Sequence, residues 1–114
     1  MELQYSEMDN NIRLINLIGR FDVIGNGEIE TKFPGYCAGN KVHVIVDLSK
    51  VTYLASIGIR TLLLTAKSVA NRGGKMVILN PIPEVFYVLD ISGIPTIIPV
   101  YPDLEAAQTG LMVS

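Results

Sequence analysis

Val44-Ile45-Val46-Asp47-Leu48-Ser49-Lys50-Val51-Thr52-Tyr53-Leu54-Ala55-Ser56-Ile57-Gly58-Ile59-Arg60 is the segment from which the fold can be read. Its β-branched apolar run, Val44 to Val46, stops at Asp47-Leu48-Ser49, the pattern of a buried strand ended by polar residues. A short polar connection follows, and Ala55-Ser56-Ile57-Gly58 leads into a segment of helical periodicity. A serine just ahead of such a segment reads as an N-cap, its hydroxyl accepting from an amide of the first turn. Ser56 is therefore predicted to stand exposed at the carboxyl edge of a sheet, over the positive end of a helix.

Upstream, Leu3 to Met8 alternates loosely, Asp9-Asn10-Asn11 gives a turn signal, and Ile12 to Ile18 is again strand-like. Two such runs joined by Asp and Asn predict an antiparallel hairpin. Gly19-Arg20-Phe21-Asp22 breaks the second strand, and Asp22 is placed to cap a helix reaching about Lys32, weakened by Gly25 and Gly27. Phe33 to Asn40, rich in Pro and Gly, reads as loop. The central strand is expected over His43–Leu48, a connection over Ser49–Ala55, and a helix from Ile57 to Arg72 ended by Gly73-Gly74. Downstream, Met76 to Leu79 reads as a buried strand. Pro81 to Asp90 reads as a helix with Val85, Phe86 and Leu89 inward, stopped by Ser92-Gly93. Thr96 to Ile98 reads as a short strand limited by Pro99, and Asp103 to Gly110 as a last helix. A hairpin followed by strand–helix alternation implies an α/β fold with a mixed sheet, parallel in its later part.

The 114 residues suit a single domain over 1–114, and a hydrophobic content of 49% with 18% charged residues fits a packed core rather than disorder. A net charge of −2 without a Lys/Arg cluster points to no nucleic-acid partner. The lone Cys37 forms no internal disulfide and fits a reducing compartment. MELQYSEMDN at the start lacks the basic-then-apolar order of a signal, and no apolar run reaches membrane-spanning length, so the chain reads as cytoplasmic without membrane insertion.

On the middle helix, a rotation of about 100° per residue gathers Ile59, Leu62, Leu63, Ala66, Val69 and Ala70 toward the sheet. Ile57, Arg60, Thr61, Leu64, Lys67, Ser68 and Asn71 take the opposite arc, where Ile57 and Leu64 are large apolar residues on the wet side. Scattered exposed aliphatics are ordinary. Two aliphatic anchors beside an arginine and a hydroxyl also make a contact patch. Periodicity leaves both readings open.

Enzymatic roles find little support. A nucleophile elbow needs Gly-x-Ser-x-Gly, and Leu54 takes the first glycine position. The only histidine, His43, opens the strand whose far end leads toward Ser56, on the order of 15 Å away at ~3.3 Å per residue. One Cys and one His make no metal cluster, and Asp47, Asp90 and Asp103 are scattered as caps and turns usually are. Gly73-Gly74-Lys75 ends a helix where a P-loop begins one, and no cofactor motif is present. Ser56 itself has two open roles. As a plain cap it stabilises the helix by ~1 kcal/mol. As a phosphate acceptor it gains roughly −1.5 to −2 charges, tolerated by a helix N-terminus but costly against an apolar or acidic partner surface.

Val44-x-Val46-Asp47-Leu48-Ser49-x-Val51-x-x-Leu54-Ala55-Ser56-x-Gly58 resembles the strand–DLS–loop–Asp-Ser-x-Gly pattern of STAS domains of anti-sigma factor antagonists. Gly19-x-Phe21-Asp22, Gly73-Gly74-Lys75-Met76-x-Ile78-x-Asn80 and Val85-x-x-x-Leu89-x-x-x-Gly93-Ile94 extend the likeness over most of the chain in the expected order. The resemblance implies a mixed sheet with helices packed on one side and a non-enzymatic role in bacterial partner switching, without a cofactor. Its implied partner is an anti-sigma factor that is also a serine kinase of the histidine-kinase-like ATPase type. That kinase phosphorylates the antagonist and a phosphatase reverses the modification; unmodified antagonist frees a sigma factor. The acceptor falls on Ser56, and the contact surface on Tyr53, Ser56, Ile57, Arg60 and Leu64. Two positions depart from the pattern: Ala55 stands where many members carry Asp, and Ile57 where a small polar residue is common. A STAS module that binds without being phosphorylated, within a signalling or transport-associated assembly, is the alternative these departures imply.

Overall fold

A computed structural model describes residues 1–112, with Val113 and Ser114 outside the described part. The hairpin forms as expected: β1 (Glu2–Met8) pairs antiparallel with β2 (Ile12–Phe21), Met8 opposite Ile12 and Glu2 opposite Ile18. Asn10 and Asn11 both take positive φ in the turn, a conformation that asparagine tolerates better than most residues. After β2 the chain forms α1 (Val23–Ile29) and α2 (Lys32–Tyr36), then β3 (His43–Leu54), which lies parallel to β2. Helix α3 (Ser56–Asn71), β4 (Met76–Leu79) and α4 (Pro83–Ile91) follow, then a 3-10 turn over Ile94–Thr96, β5 (Val100–Tyr101) and α5 (Leu104–Met112). The sheet order is β1-β2-β3-β4-β5, antiparallel at the first pair and parallel at the other three.

Strand β3 runs to Leu54, so the expected stop at Leu48 and the connection Ser49–Ala55 give way to a longer strand. Val44, Val46 and Leu48 are buried at the ordinary spacing of two, whereas Leu48, Val51 and Leu54 are buried at a spacing of three. Asn16 pairs with Asp47 but Ile18 with Lys50, and Gly19 pairs with Val51 but Arg20 with Tyr53, so β3 twice gains a residue on β2. Each bulge re-aims the next side chain and restores an apolar residue to the core. Asp47 Oδ1 accepts from Ser49 N at 2.8 Å beside the first bulge.

The α1–α4 side of the sheet carries the main core, built on Ile15, Leu17, Phe21, Phe33, Val44, Val46, Leu48, Leu62, Val69, Ile78 and Leu89. The reverse face carries a second cluster, in which Ala107 and Leu111 of α5 cover Ile12, Ile45, Val77 and Leu79. The mixed sheet is thus the expected one, with α5 added on the face opposite the other helices.

Local expectations change in three places. The helix begun at Asp22 ends at Ile29 rather than near Lys32, and residues 33–36, expected as loop, belong to α2 because tertiary contacts hold it. Phe33 is fully buried, Arg13 Nη1 donates to the carbonyls of Tyr36 (2.8 Å) and Ala38 (2.5 Å), and the Tyr36 ring stacks on Tyr5 at 4.6 Å. Thr96 to Ile98 is a 3-10 turn and its exit; Gly93, with φ of 74°, starts it, and the strand begins only after Pro99. In α4, which starts at Pro83 rather than Pro81, Val85 and Leu89 are buried as expected, but Phe86 is exposed.

Candidate functional site

Strands β2 and β3 run parallel, so their carboxyl ends deliver the starts of α1 and α3 to one edge of the sheet. Ala55 N donates to Phe21 O at 2.9 Å, fixing the entry to α3 against the end of β2. Two glycines permit the close approach of these helices. A Cβ on Gly58 would stand 2.7–2.9 Å from Leu54 and Phe21 side-chain carbons, and one on Gly25 would fall on the carbonyl oxygen of Arg20. Gly25, which by sequence only weakens α1, is therefore required by packing.

Ser56 is exposed, as expected, but it is the first residue of α3 and not its cap. Ala55 holds the extended cap conformation (φ −93°, ψ 169°) with no side chain to bond an amide. Its carbonyl accepts from Gly58 N and Ile59 N at 3.0 and 3.2 Å. Among the described residues the Ser56 hydroxyl has no hydrogen-bond partner, so it stands free at the positive end of a 16-residue helix.

Around it, Arg60 and Leu64 repeat at intervals of four along α3, both exposed, with Leu64 at 57%. Ile57 is half-buried, not the open aliphatic that the helical arc implies. Ala70 is exposed rather than sheet-facing, and Thr65 takes a buried position. Tyr53, half-exposed on the second bulge of β3, lies under the Arg20 guanidinium, whose carbon is 4.3 Å from the ring centroid. Arg20 Nε also donates to Asp22 Oδ2 at 3.2 Å. Ser56, Arg60 and Leu64 thus follow one another at intervals of four on an exposed face of α3, with Tyr53 exposed near the end of β3 and Ile57 half-buried.

Other residues of this edge were not singled out from the sequence. Val23 and Ile24 open α1 with about three quarters of their surface exposed. Asp22 caps that helix, Oδ1 accepting from Gly25 N at 2.9 Å. That amide bond, with Arg20 secondarily, holds the Asp22 carboxyl below its ordinary pKa. Thr61 Oγ1 donates to Asn26 Oδ1 at 2.5 Å, joining α3 to α1. The signal was an apolar Val-Ile pair placed directly after a cap, where a soluble helix ordinarily carries polar residues.

His43 opens β3 while Ser56 follows its end, which separates the two by roughly 30 Å rather than 15 Å. A base for Ser56 is not supplied from there. Cys37, the residue that closes α2, is buried, and that burial pushes its thiol up to about 12, which suits packing and not reactivity. Among the described residues no helix is long and apolar enough to cross a membrane.

The family model described as "STAS domain" matches residues 6–107. BtrV of Bordetella bronchiseptica, whose name assigns it provisionally as an anti-sigma factor antagonist, is 32% identical over 80 residues, covering 70% of this chain and 69% of BtrV. The anti-sigma F factor antagonist of Paenibacillus polymyxa is 31% identical over 71 residues, 62% of this chain and 61% of its own. The unphosphorylated form of the anti-sigma factor antagonist SpoIIAA superimposes with a TM-score of 0.79 over 99% of both chains at 20% identity. The phosphorylated form of SpoIIAA from Bacillus gives 0.67 over 96% of this chain and 99% of that chain at 21% identity. With the family model covering nearly the whole sequence and the bulged β3–Ser56–α3 unit at its centre, this chain belongs to the STAS domain family.

Proposed function

We propose that this protein is an anti-sigma factor antagonist, a binding protein whose docking onto an anti-sigma factor is controlled by phosphorylation of Ser56. The observation that carries the reading is the exposed, unpartnered Ser56 hydroxyl at the first turn of α3, followed on the same helix by exposed Arg60 and Leu64, with exposed Tyr53, Val23 and Ile24 on the segments that end or begin at the same sheet edge. Relatives named as anti-sigma factor antagonists, at 31–32% identity, support the kind of partner. The existence of SpoIIAA in phosphorylated and unphosphorylated forms supports the kind of control.

In this reading the anti-sigma factor is also the kinase, a histidine-kinase-like ATPase. The γ-phosphoryl group of ATP passes to Ser56 Oγ, ADP leaves, and the hydroxyl proton goes to solvent; a phosphatase restores the serine by hydrolysis. The added charge sits at the positive end of α3, where the fold tolerates it. Against a docked partner the same charge must be desolvated among apolar side chains, which opposes the complex.

The test is incubation with the candidate anti-sigma factor and ATP, followed by mass spectrometry of the peptide carrying Ser56. One phosphate on that residue is expected, with partner affinity lost in the modified protein. Phosphate elsewhere, or none, overturns the assignment.

Ala55 favours a second reading, a STAS subunit of a signalling or transport-associated assembly that binds irrespective of phosphate, because it leaves no carboxylate beside the serine. In that case Ile57→Ala and Leu64→Ala abolish assembly while Ser56→Ala and Ser56→Asp leave it unchanged.

A further inference from the structure

Arginines near Ser56 differ in how far they are already committed. Arg20 is held by the Tyr53 ring and by Asp22. Arg60, exposed on α3, has neither an ion pair nor a hydrogen bond from its guanidinium among the described residues. It lies four residues after Ser56, so the two Cβ atoms are about 5–6 Å apart on one helix face, with the anionic position N-terminal to the cationic one, the favourable order. Lys67, the next cation on α3, is about 16 Å farther along the axis than Ser56 and outside contact range. On α1, packed beside α3, Asp22 is engaged by Arg20 and Gly25, and Glu28 pairs with the Met1 amino group, so neither carboxylate claims Arg60.

We propose that a phosphate on Ser56 is received by Arg60 of the same helix, so that modification withdraws this guanidinium from the docking surface while adding negative charge to it. The inference rests on the reading of Ser56 as acceptor. It makes the control two-sided: the partner meets a new dianion and also loses the one uncommitted arginine of the patch. A guanidinium binds a phosphate through two parallel N–H donors, which holds Arg60 along the helix rather than outward.

The experiment uses the full chain with phosphoserine incorporated at position 56 during translation, so that no kinase is needed. The phosphate is titrated by phosphorus NMR at low salt. Arg60 stabilises the dianion, so Arg60→Gln is expected to raise the midpoint by about 0.3–0.7 pH unit, the range that exposed ion pairs supply. Arg60→Lys recovers part of the shift, and molar salt collapses the difference. Arg20→Gln, which removes a cation held by Tyr53 and Asp22 rather than one carried on α3, is expected to move the midpoint by less than Arg60→Gln does. A midpoint that moves by less than about 0.1 unit with Arg60→Gln, or that follows Arg20 instead, overturns the proposal. Failure of the titration leaves Ser56 phosphorylation standing, whereas failure of the kinase experiment leaves the titration result intact; the two outcomes are therefore separable.

Discussion

A methyl group added at Gly58 would stand 2.7 Å from Leu54 Cδ1 and 2.8 Å from Phe21 Cγ, both core atoms with little room to retreat. Gly58→Ala is therefore expected to destabilise the fold by ~1–3 kcal/mol, the usual cost of overpacking, with a fall in melting temperature of several degrees. Ser56→Ala, two residues earlier, removes a hydroxyl with no partner among the described residues and should leave the melting temperature nearly unchanged. Scanning calorimetry of both variants checks the contrast, and a large loss for Ser56→Ala would restore the serine to a capping role. Ser56 and Gly58 were legible in the sequence because their order and spacing follow from the turn they make. The cap was misassigned by one residue because Ala55 and Ser56 are adjacent, and helix ends read from sequence do not resolve neighbouring positions.

At the scale of elements, α1 depends on its cap, since glycines at 25 and 27 give it little intrinsic propensity. The Asp22 carboxylate accepts from Gly25 N in the folded state, which lowers its pKa relative to the unfolded chain. A group depressed in this way contributes stability above its unfolded pKa and loses it as pH falls through the folded value. Asp22→Ala is thus expected to lower the urea midpoint at pH 7, and the gap from the unmodified protein should close as the pH falls through and below the lowered pKa of Asp22. A gap that persists in acid would separate the cap from the carboxylate charge. Helix α1 was legible through Asp22, and α3 through its apolar arc. The extension of β3 to Leu54 was not, because two bulges replace the period of two that marks a strand. Nor was α2, whose Pro and Gly read as loop until Arg13 and Tyr5 close on it from strands far away in sequence.

Across the whole molecule the sheet is covered unequally. Four helices lie over one face, while the other relies on α5 to shield Ile12, Ile45, Val77 and Leu79. Leu111→Ala, in the last turn of α5, is expected to cost about 2 kcal/mol and to increase binding of an apolar dye. Unfolding curves and dye fluorescence test this, and an unchanged signal would mean that α5 is dispensable for that face. The mixed sheet was legible in the order of its segments, whereas the side taken by α5 was not, because a nine-residue helix carries its apolar stripe to either face equally well.

The strand order has a further consequence for biosynthesis. Each strand lies next to the one made just before it, so the sheet is free to grow by single additions as the polypeptide leaves the ribosome, without any strand being inserted between two already paired. Every residue of the rim where β2 and β3 end has been joined to the chain before translation of the final helix begins.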